Sequence, residues 1–598
     1  MNTYLHHQKL SPDPSYEHLP RKSVPGGYII PIYPNACIRI FPSQAIAWQK
    51  KLKLTTPPPP VILRPDSNHR IDMCLDFGTE LEAALFLTIK IHSSFQAIFI
   101  SFGESIPEAE GYGMPTTNPL STVEWYAQSR GLNKYQIPQR GFRFIRIQMP
   151  EINKPVEIIT IRADAWFAFK KRYGDFQCDN PQFQRLWQTS VYTARLCTRP
   201  DCYWDGIKRD RFGWFGDARI TQMTTDAVFA DPEPAAKMLL SLPTNNWTMG
   251  IPGYTFSAIA MFHQLILCYG KNHPCVPQIY NNIREVLKWV KKTQLNSDGF
   301  ITRKAGINYF GKVAFIDWSP MPVGGKFEEL SWLQCQHLEA LLMAARIATW
   351  LNHPDDAEKY SKFAAMLAKN IRRKFWRQQY GLIHTLNQTI RKWKPLVVLP
   401  LPLERDNEYR YLYFRLPPIG ESIPSRHSQT MAVLAGIVQN QSEKNVVLRT
   451  LRSNRYPPLI TAYFRYFEAV ARSECGDATG AIKSFISYLA EQVELNDSAA
   501  LWEWYDPKIR DFRRWGLGDW PKSLCHGWST GIVPLTQYYL LGVKPIAPGF
   551  SKITINPSAR LPISFEAAIP TPHGNIKVIR ESPSSPIRHI LPSGIICT

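Results

Sequence analysis

A chain of 598 residues is too long for one ordinary domain and long enough to bury a sizeable core, so about two to four domains are expected. Hydrophobic residues at 44% and charged residues at 20% exclude a disordered or fibrous protein. The net charge of +21 is dispersed in short runs such as Lys50-Lys51-Lys53 and Lys170-Lys171-Arg172, so no nucleic-acid partner is expected and an acidic substrate is a better match.

No apolar run approaches the roughly 18 residues of a membrane span. The opening MNTYLHHQKLSPDPSYEHLPRKS has no apolar core of the kind a secretory signal needs. A cytoplasmic protein with no membrane partner is therefore predicted. The eleven cysteines include no CxxC pair and no His at zinc-finger spacing, which predicts reduced, mostly buried thiols.

Residues 1–175 are rich in Pro and carry short β-type stretches such as AALFLTIKI, QAIFISFG and FRFIRIQM, which predict an N-terminal β-sandwich of jelly-roll type with a structural role. At Asp179-Asn180-Pro181 the texture changes. An N-cap Asn and a Pro at the first helical position open a helix with Phe183, Trp187, Val191 and Ala194 on one face. Further helical patterns follow near 217–229, 232–242, 254–270, 276–294, 328–351, 355–377, 427–440, 458–473, 477–493 and 526–541. About a dozen helices joined by uneven loops predict a closed ring of α-hairpins, an (α/α)6 barrel over 176–541, with function carried by long loops at one mouth. From Gly542 the strands ITINP, ISFEAAI and NIKVIR predict a small C-terminal β domain over 542–598.

Two clusters concentrate acids and aromatics. DCYWDGIKRDRFGWFGDARI, residues 201–220, places Asp201, Asp205, Asp210 and Asp217 among Trp204, Trp214, Lys208, Arg209 and Arg211. Indole faces pack on sugar C–H groups while carboxylates bind hydroxyls or move protons. The alternative is a surface ion-pair network, against which Gly206, Gly213 and Gly216 argue by permitting tight turns. The three cations around Asp210 would hold it ionised, so as an acid it needs burial or a second carboxylate nearby. The second cluster, LWEWYDPKIRDFRRWGLGDWPKSLCHGWSTG, residues 501–531, sets Glu503 between Trp502 and Trp504 and puts His526 at a helix start. Glu503 is either a base in apolar surroundings or a structural carboxylate paired with Arg510, Arg513 or Arg514.

The stretch DGIKRDRFGWFGD resembles the signature of the α-L-rhamnosidases of glycoside hydrolase family 78, with Asp205, Asp210, Trp214 and Asp217 at matching spacing and Asp210 where many members have Glu. The resemblance extends through IPGYTFSAIA, FIDWSP, FEELSWLQCQHLEALLMAARIA, AYFRYFEAVARSECGD, WEW and SLCHGWSTG, covering about 175–560. It implies an inverting six-hairpin glycosidase, most simply an α-L-rhamnosidase, with Asp210 as general acid and Glu503 as general base. It also implies sugar contacts from Asp205, Trp214, Asp217, Asp317, Trp318 and His526, and neither metal nor cofactor. Two rivals stay open: a non-catalytic carbohydrate-binding or assembly protein, and a six-hairpin hydrolase of another sugar. A homo-oligomer is compatible with the sequence.

Overall fold

The computed structural model describes residues 21–598 apart from 42–51, 54, 65–69, 95, 111–123, 170, 209–210, 303–313, 320, 323–325, 385–392, 395–423, 497–499, 507–515, 518–519 and 522. Its N-terminal part is β-rich: β1 (Lys22–Val24), β2 (Gly27–Ile32), β3 (Ala36–Phe41), β4 (Val61–Leu63), β5 (Ile71–Ile91), β6 (Gln96–Gly103), β7 (Glu124–Gln128), β8 (Gly131–Met149) and β9 (Val156–Phe167), with one helical turn, α1 (Ile106–Ala109), after β6. These strands form a nine-stranded sheet in the order β1-β2-β9-β5-β8-β6-β7, with β3 also paired to β5 and β4 to β9. The three quoted stretches fall in β5, β6 and β8. The 21-residue β5 breaks register with β8 between Asp76 and Leu81, where Gly78 takes the left-handed backbone that a bulge needs. Strand β10 (Asp175–Cys178) leaves this sheet and pairs antiparallel with Phe565–Ile569 of the chain's C-terminal end.

The middle of the chain is helical: α2 (Pro181–Leu196), α3 (Phe215–Val228), α4 (Glu233–Leu240), α5 (Pro252–Tyr269), α6 (Val276–Thr293), α7 (Ser331–Trp350), α8 (Pro354–Phe375), α9 (Arg426–Leu434), α10 (Gln441–Arg452), α11 (Ala462–Glu474), α12 (Ala478–Asn496) and α13 (Ile532–Leu535). The start of α2 forms as its residues dictate: the Asn180 side chain accepts the Phe183 N–H at 2.9 Å, and Pro181 occupies a first-turn position that needs no donor. Helices α5 and α7 are buried on nearly every side, whereas α8 buries one stripe, Tyr360, Ala364, Leu367, Ile371 and Phe375. Accordingly α5 packs between α3 and α7, α7 against α9, α9 against α11, and α13 against both α11 and α3, while α4, α8, α10 and α12 back onto α5, α7, α9 and α11.

Two helices differ from the expected spans. The pattern at 427–440 ends at Leu434, because Gly436 adopts a left-handed backbone that closes the helix; Asn440 then caps a separate helix, α10, whose polar sequence hides its buried Val446, Val447 and Leu451. The pattern at 526–541 splits into a turn at Gly527–Ser529, α13, and a π-helical turn at Thr536–Leu540. Pro534 supplies no N–H at that point.

The C-terminal end forms two sheets, Val543–Pro545 with Lys552–Ile555 and Ile596–Cys597, and β10 with Phe565–Ile569, Ile576–Arg580 and Arg588–Ile590. All eleven cysteines are free thiols. Among the described residues, no helix is long and apolar enough to cross a membrane.

One buried acid between α3 and α5 has a measurable consequence. Asp226 accepts the Tyr269 hydroxyl at 2.8 Å and the Gln264 amide at 3.2 Å, yet burial pushes its carboxyl up to about 7. A folded-state value above the unfolded one means that stability is complete at low pH and is lost as pH rises from about 4 to 7, by on the order of 4 kcal/mol. Asp226→Asn cannot ionise, so its melting temperature relative to wild type is expected to climb by several degrees between pH 4.5 and 7.5. A difference independent of pH would show that the carboxyl ionises in the folded protein without cost.

Candidate active site

The loop between α2 and α3 is pinned to itself and to the C-terminal cluster. The Asp205 N–H donates to the Phe212 carbonyl and the Phe212 N–H to the Asp205 Oδ1, each at 3.3 Å, with Arg211 in a left-handed conformation at the turn. The Gly527 N–H donates to the Asp205 carbonyl at 2.7 Å, and Gly206 forms a β-bridge with His526. A Cβ on Gly206 would stand 2.8 Å from the Ser523 Oγ and 3.0 Å from the Cys525 carbonyl, so the close approach of these two loops favours glycine. Residues 205–206 and 523–527, more than three hundred positions apart, are thereby neighbours.

On the first turn of α3, Asp217 accepts the Tyr254 hydroxyl at 2.8 Å. Burial and the adjacent Asp217 carboxylate push the Tyr254 phenol well above its usual range, so it remains a donor. The His526 Nε2 lies 3.7 Å from Asp217 and 4.0 Å from Asp205, and all three side chains are buried. Asp205 and Asp217, nominated from sequence, thus gather around His526, nominated with them, and Tyr254 holds Asp217. A Cβ on Gly216 would fall 2.1 Å from the Tyr254 ring, which explains a glycine just ahead of Asp217.

Glu503 is 2% exposed. Its Oε1 accepts the Trp318 indole N–H at 3.0 Å, its Oε2 accepts the Ser523 amide N–H at 3.0 Å, and its carbonyl accepts the Trp528 indole N–H at 2.8 Å. Both carboxyl oxygens therefore accept, as an ionised carboxylate does. Arg510, Arg513 and Arg514, its rival partners, lie outside the described residues, as do Arg209 and Asp210.

Aromatic rings join the two acidic groups. Half-buried Trp214 meets Tyr254 edge-on at 5.8 Å, Tyr254 meets Phe315 at 5.8 Å, and Phe315 meets Trp318 at 4.8 Å, so the donor to Asp217 and the donor to Glu503 belong to one aromatic wall. His526 lies 4.5 Å from the ring of Trp528, the donor to the Glu503 carbonyl. Asp317 is fully buried; His427 Nε2 lies 2.7 Å from its Oδ1 and the Thr461 hydroxyl donates to its Oδ2 at 2.7 Å, an arrangement that fixes the backbone carrying Trp318. The sequence reading did not find His427, Ser523, Trp528 or Phe315. SLCHGWSTG drew attention only to His526, and nothing in the spacing pairs residue 427 with residue 317. Indole edges, hydroxyls and buried carboxylates around one space can bind a sugar by its C–H faces and its hydroxyls and move a proton at Glu503. Among the described residues, no group of three or more His, Cys, Asp or Glu is placed to hold a metal ion.

Residues 171–453 match the family model of the bacterial alpha-L-rhamnosidase 6-hairpin glycosidase domain. Among solved structures, the chain resembles the GH78 family rhamnosidase of Bacillus sp. GL1 (18% identity, 91% of this chain and 54% of that one, TM-score 0.71). It also resembles the rhamnosidase of Klebsiella oxytoca with rhamnose bound (15%, 88% and 96%, TM-score 0.65). A third is the Streptomyces avermitilis alpha-L-rhamnosidase complexed with L-rhamnose (12%, 90% and 49%, TM-score 0.65). The chain spans about half the length of the first and third of these. No curated protein matches the sequence. Identities this low carry the fold alone, but fold and family model agree: between its N-terminal β-rich part and its C-terminal sheets the chain is similar, over 171–453, to the six-hairpin glycosidase domain of the bacterial alpha-L-rhamnosidases.

Proposed function

We propose that the protein is an inverting glycoside hydrolase that removes terminal α-L-rhamnose from glycosides or oligosaccharides. The observation that carries this reading is Glu503, a buried carboxylate gripped at both oxygens by N–H donors and set on the aromatic wall that leads to Asp217. The family match over 171–453 supplies the sugar. Glu503 is the general base that deprotonates water, and Asp210 is the general acid that protonates the leaving oxygen on the opposite face, at the roughly 6.5–9.5 Å separation inversion requires. Asp205, Trp214, Asp217, Trp318 and His526 contact the sugar, and Asp317 belongs to the same set through its hold on the Trp318 segment. The succession α3, α5, α7, α9, α11 and α13, in which the last packs back on the first, supports a closed (α/α)6 barrel over 176–541, between a β-sandwich over 1–175 and a β domain over 542–598. Free thiols throughout support a cytoplasmic site of action.

The test is release of 4-nitrophenol from a panel of nitrophenyl glycosides, with the first-formed anomer followed by proton NMR. Cleavage of the α-L-rhamnoside with initial release of the β anomer is expected. Cleavage of a different glycoside would replace the sugar, the α anomer would overturn inversion, and inactivity on the whole panel and on rhamnose-containing oligosaccharides would favour a binding protein.

A further inference from the structure

We propose that Glu104, in the N-terminal β-rich part, is a positioning residue for the reaction, its carboxylate holding in one place the backbone that grips Glu503 and the loop that carries Asp210. This rests on the reading above that these two carboxyls do the chemistry.

Glu104 follows β6 directly and its side chain is fully buried. The Glu104 Oε2 accepts the Leu524 amide N–H at 2.6 Å and the Lys208 ammonium at 2.7 Å; its Oε1 lies 3.3 Å from the Ser523 hydroxyl, which it shares with the Cys525 carbonyl at 2.9 Å. The Ser523 amide is the donor to the Glu503 carboxylate, and the Ser523 carbonyl accepts the Glu503 N–H at 2.9 Å, so the residue Glu104 grips is the one that orients Glu503. Lys208, two residues before Asp210, also reaches Glu108 at 3.0 Å. Burial works against its charge, but Glu104 and Glu108 outweigh that and hold the ammonium above its usual range, while burial raises the Glu104 carboxyl against the pull of Lys208.

The contact is built into the fold rather than made by one side chain. Strand β8 passes so near the catalytic loop that a Cβ on Gly141 would lie 2.6 Å from the Ile207 backbone. Ile207, Ala500 and Cys525, near Asp205, Glu503 and His526 in the chain, share the core of the β-rich part. Carboxylate and ammonium are both sequestered from water, a costly arrangement unless every group is paired, and here it also spans two segments whose relative placement decides the distance between acid and base. The N-terminal part therefore supports the loops of the active site and is not an appendage to it.

The experiment uses the full chain, with Glu104→Gln, which keeps the shape and an acceptor for Leu524 but loses the charge opposite Lys208, and Glu104→Ala. Asp72→Asn serves as the stability control, since it breaks the pair of Asp72 with Arg146 (2.7 Å), which joins β5 to β8 in the same sheet. On a glycoside that the wild type cleaves, kcat is expected to fall about 10-fold in Glu104→Gln and about 10²-fold in Glu104→Ala with KM within about twofold, while Asp72→Asn lowers the melting temperature and leaves kcat in place. Hydrogen exchange reads the clamp without any substrate: amides of 203–208 and 523–525 should exchange about tenfold faster in Glu104→Ala than in wild type or Asp72→Asn, with α5 and α7 unchanged. Wild-type kcat in both Glu104 variants, or unaltered exchange in those segments, would overturn the proposal. If the wild type cleaves no glycoside, the functional reading fails, and the exchange result alone decides whether Glu104 clamps the two segments.

Discussion

Glu503→Gln is expected to lower kcat by about 10²- to 10⁴-fold, the range for loss of a positioned proton acceptor. It should also destabilise the fold, for a reason that lies in the geometry. Trp318 donates to one carboxyl oxygen and the Ser523 amide to the other, each at 3.0 Å. A glutamine offers one acceptor oxygen, so in either orientation its amide nitrogen faces an N–H and one buried donor loses its partner, at about 1–3 kcal/mol. The pairing of a large kcat effect with a melting temperature lowered by several degrees is thus the signature of this site. A variant that retains turnover within about fivefold would remove Glu503 as the base. One that loses turnover at an unchanged melting temperature would show that the two donors do not both depend on the carboxylate.

For Asp210→Asn the expected loss depends on the leaving group. An acid is needed most when the departing oxygen is a poor leaving group; nitrophenolate departs without a proton far more readily than an alkoxide. Turnover of an unactivated rhamnoside should fall about 10³-fold or more, whereas the nitrophenyl rhamnoside should lose distinctly less. Equal losses on both substrates would deny Asp210 the role of acid, and the same leaving-group dependence in Asp217→Asn or Asp205→Asn would transfer the role there. The sequence raises an objection to Asp210, since Lys208, Arg209 and Arg211 surround it and would favour its charged form. The structure answers for two of the three. Lys208 is neutralised by Glu104 and Glu108, and Arg211 donates to the Ile207 carbonyl and lies 3.9 Å from Glu82. Burial, with Arg199 and Arg140 as like-charged neighbours, pulls the Arg211 guanidinium down to about 10 despite that carboxylate. Two of the cations that look directed at Asp210 in the sequence, Lys208 and Arg211, thus face carboxylates of the β-rich part.

The same residues show where sequence reading stops. Helix α2 was legible because its causes are local: a cap, a proline at the first turn, and apolar side chains recurring on one face. The same holds for α6 and α8, whose single buried stripe follows the helical period, and for β5, β6 and β8, whose apolar and β-branched runs mark strands before any packing is known. The acids and aromatics of 201–220 and 501–531 were legible as clusters because they crowd a short length of chain. Helix α10 was missed because its neighbour's pattern runs across Gly436, and whether a glycine ends a helix depends on what the next segment packs against.

What the sequence determined by itself is the local and the compositional: which stretches are helix or strand, which faces are buried, and which side chains are equipped for sugar chemistry. What only the tertiary structure decided is the partnership. Glu503 meets Trp318, 185 residues away, Asp317 meets His427 across 110, and Ser523 meets Glu104 across 419. No periodicity records such pairs, because a hydrogen bond between distant residues is set by where the packed core leaves their backbones, and the core is the sum of all the local choices rather than a property of any one of them.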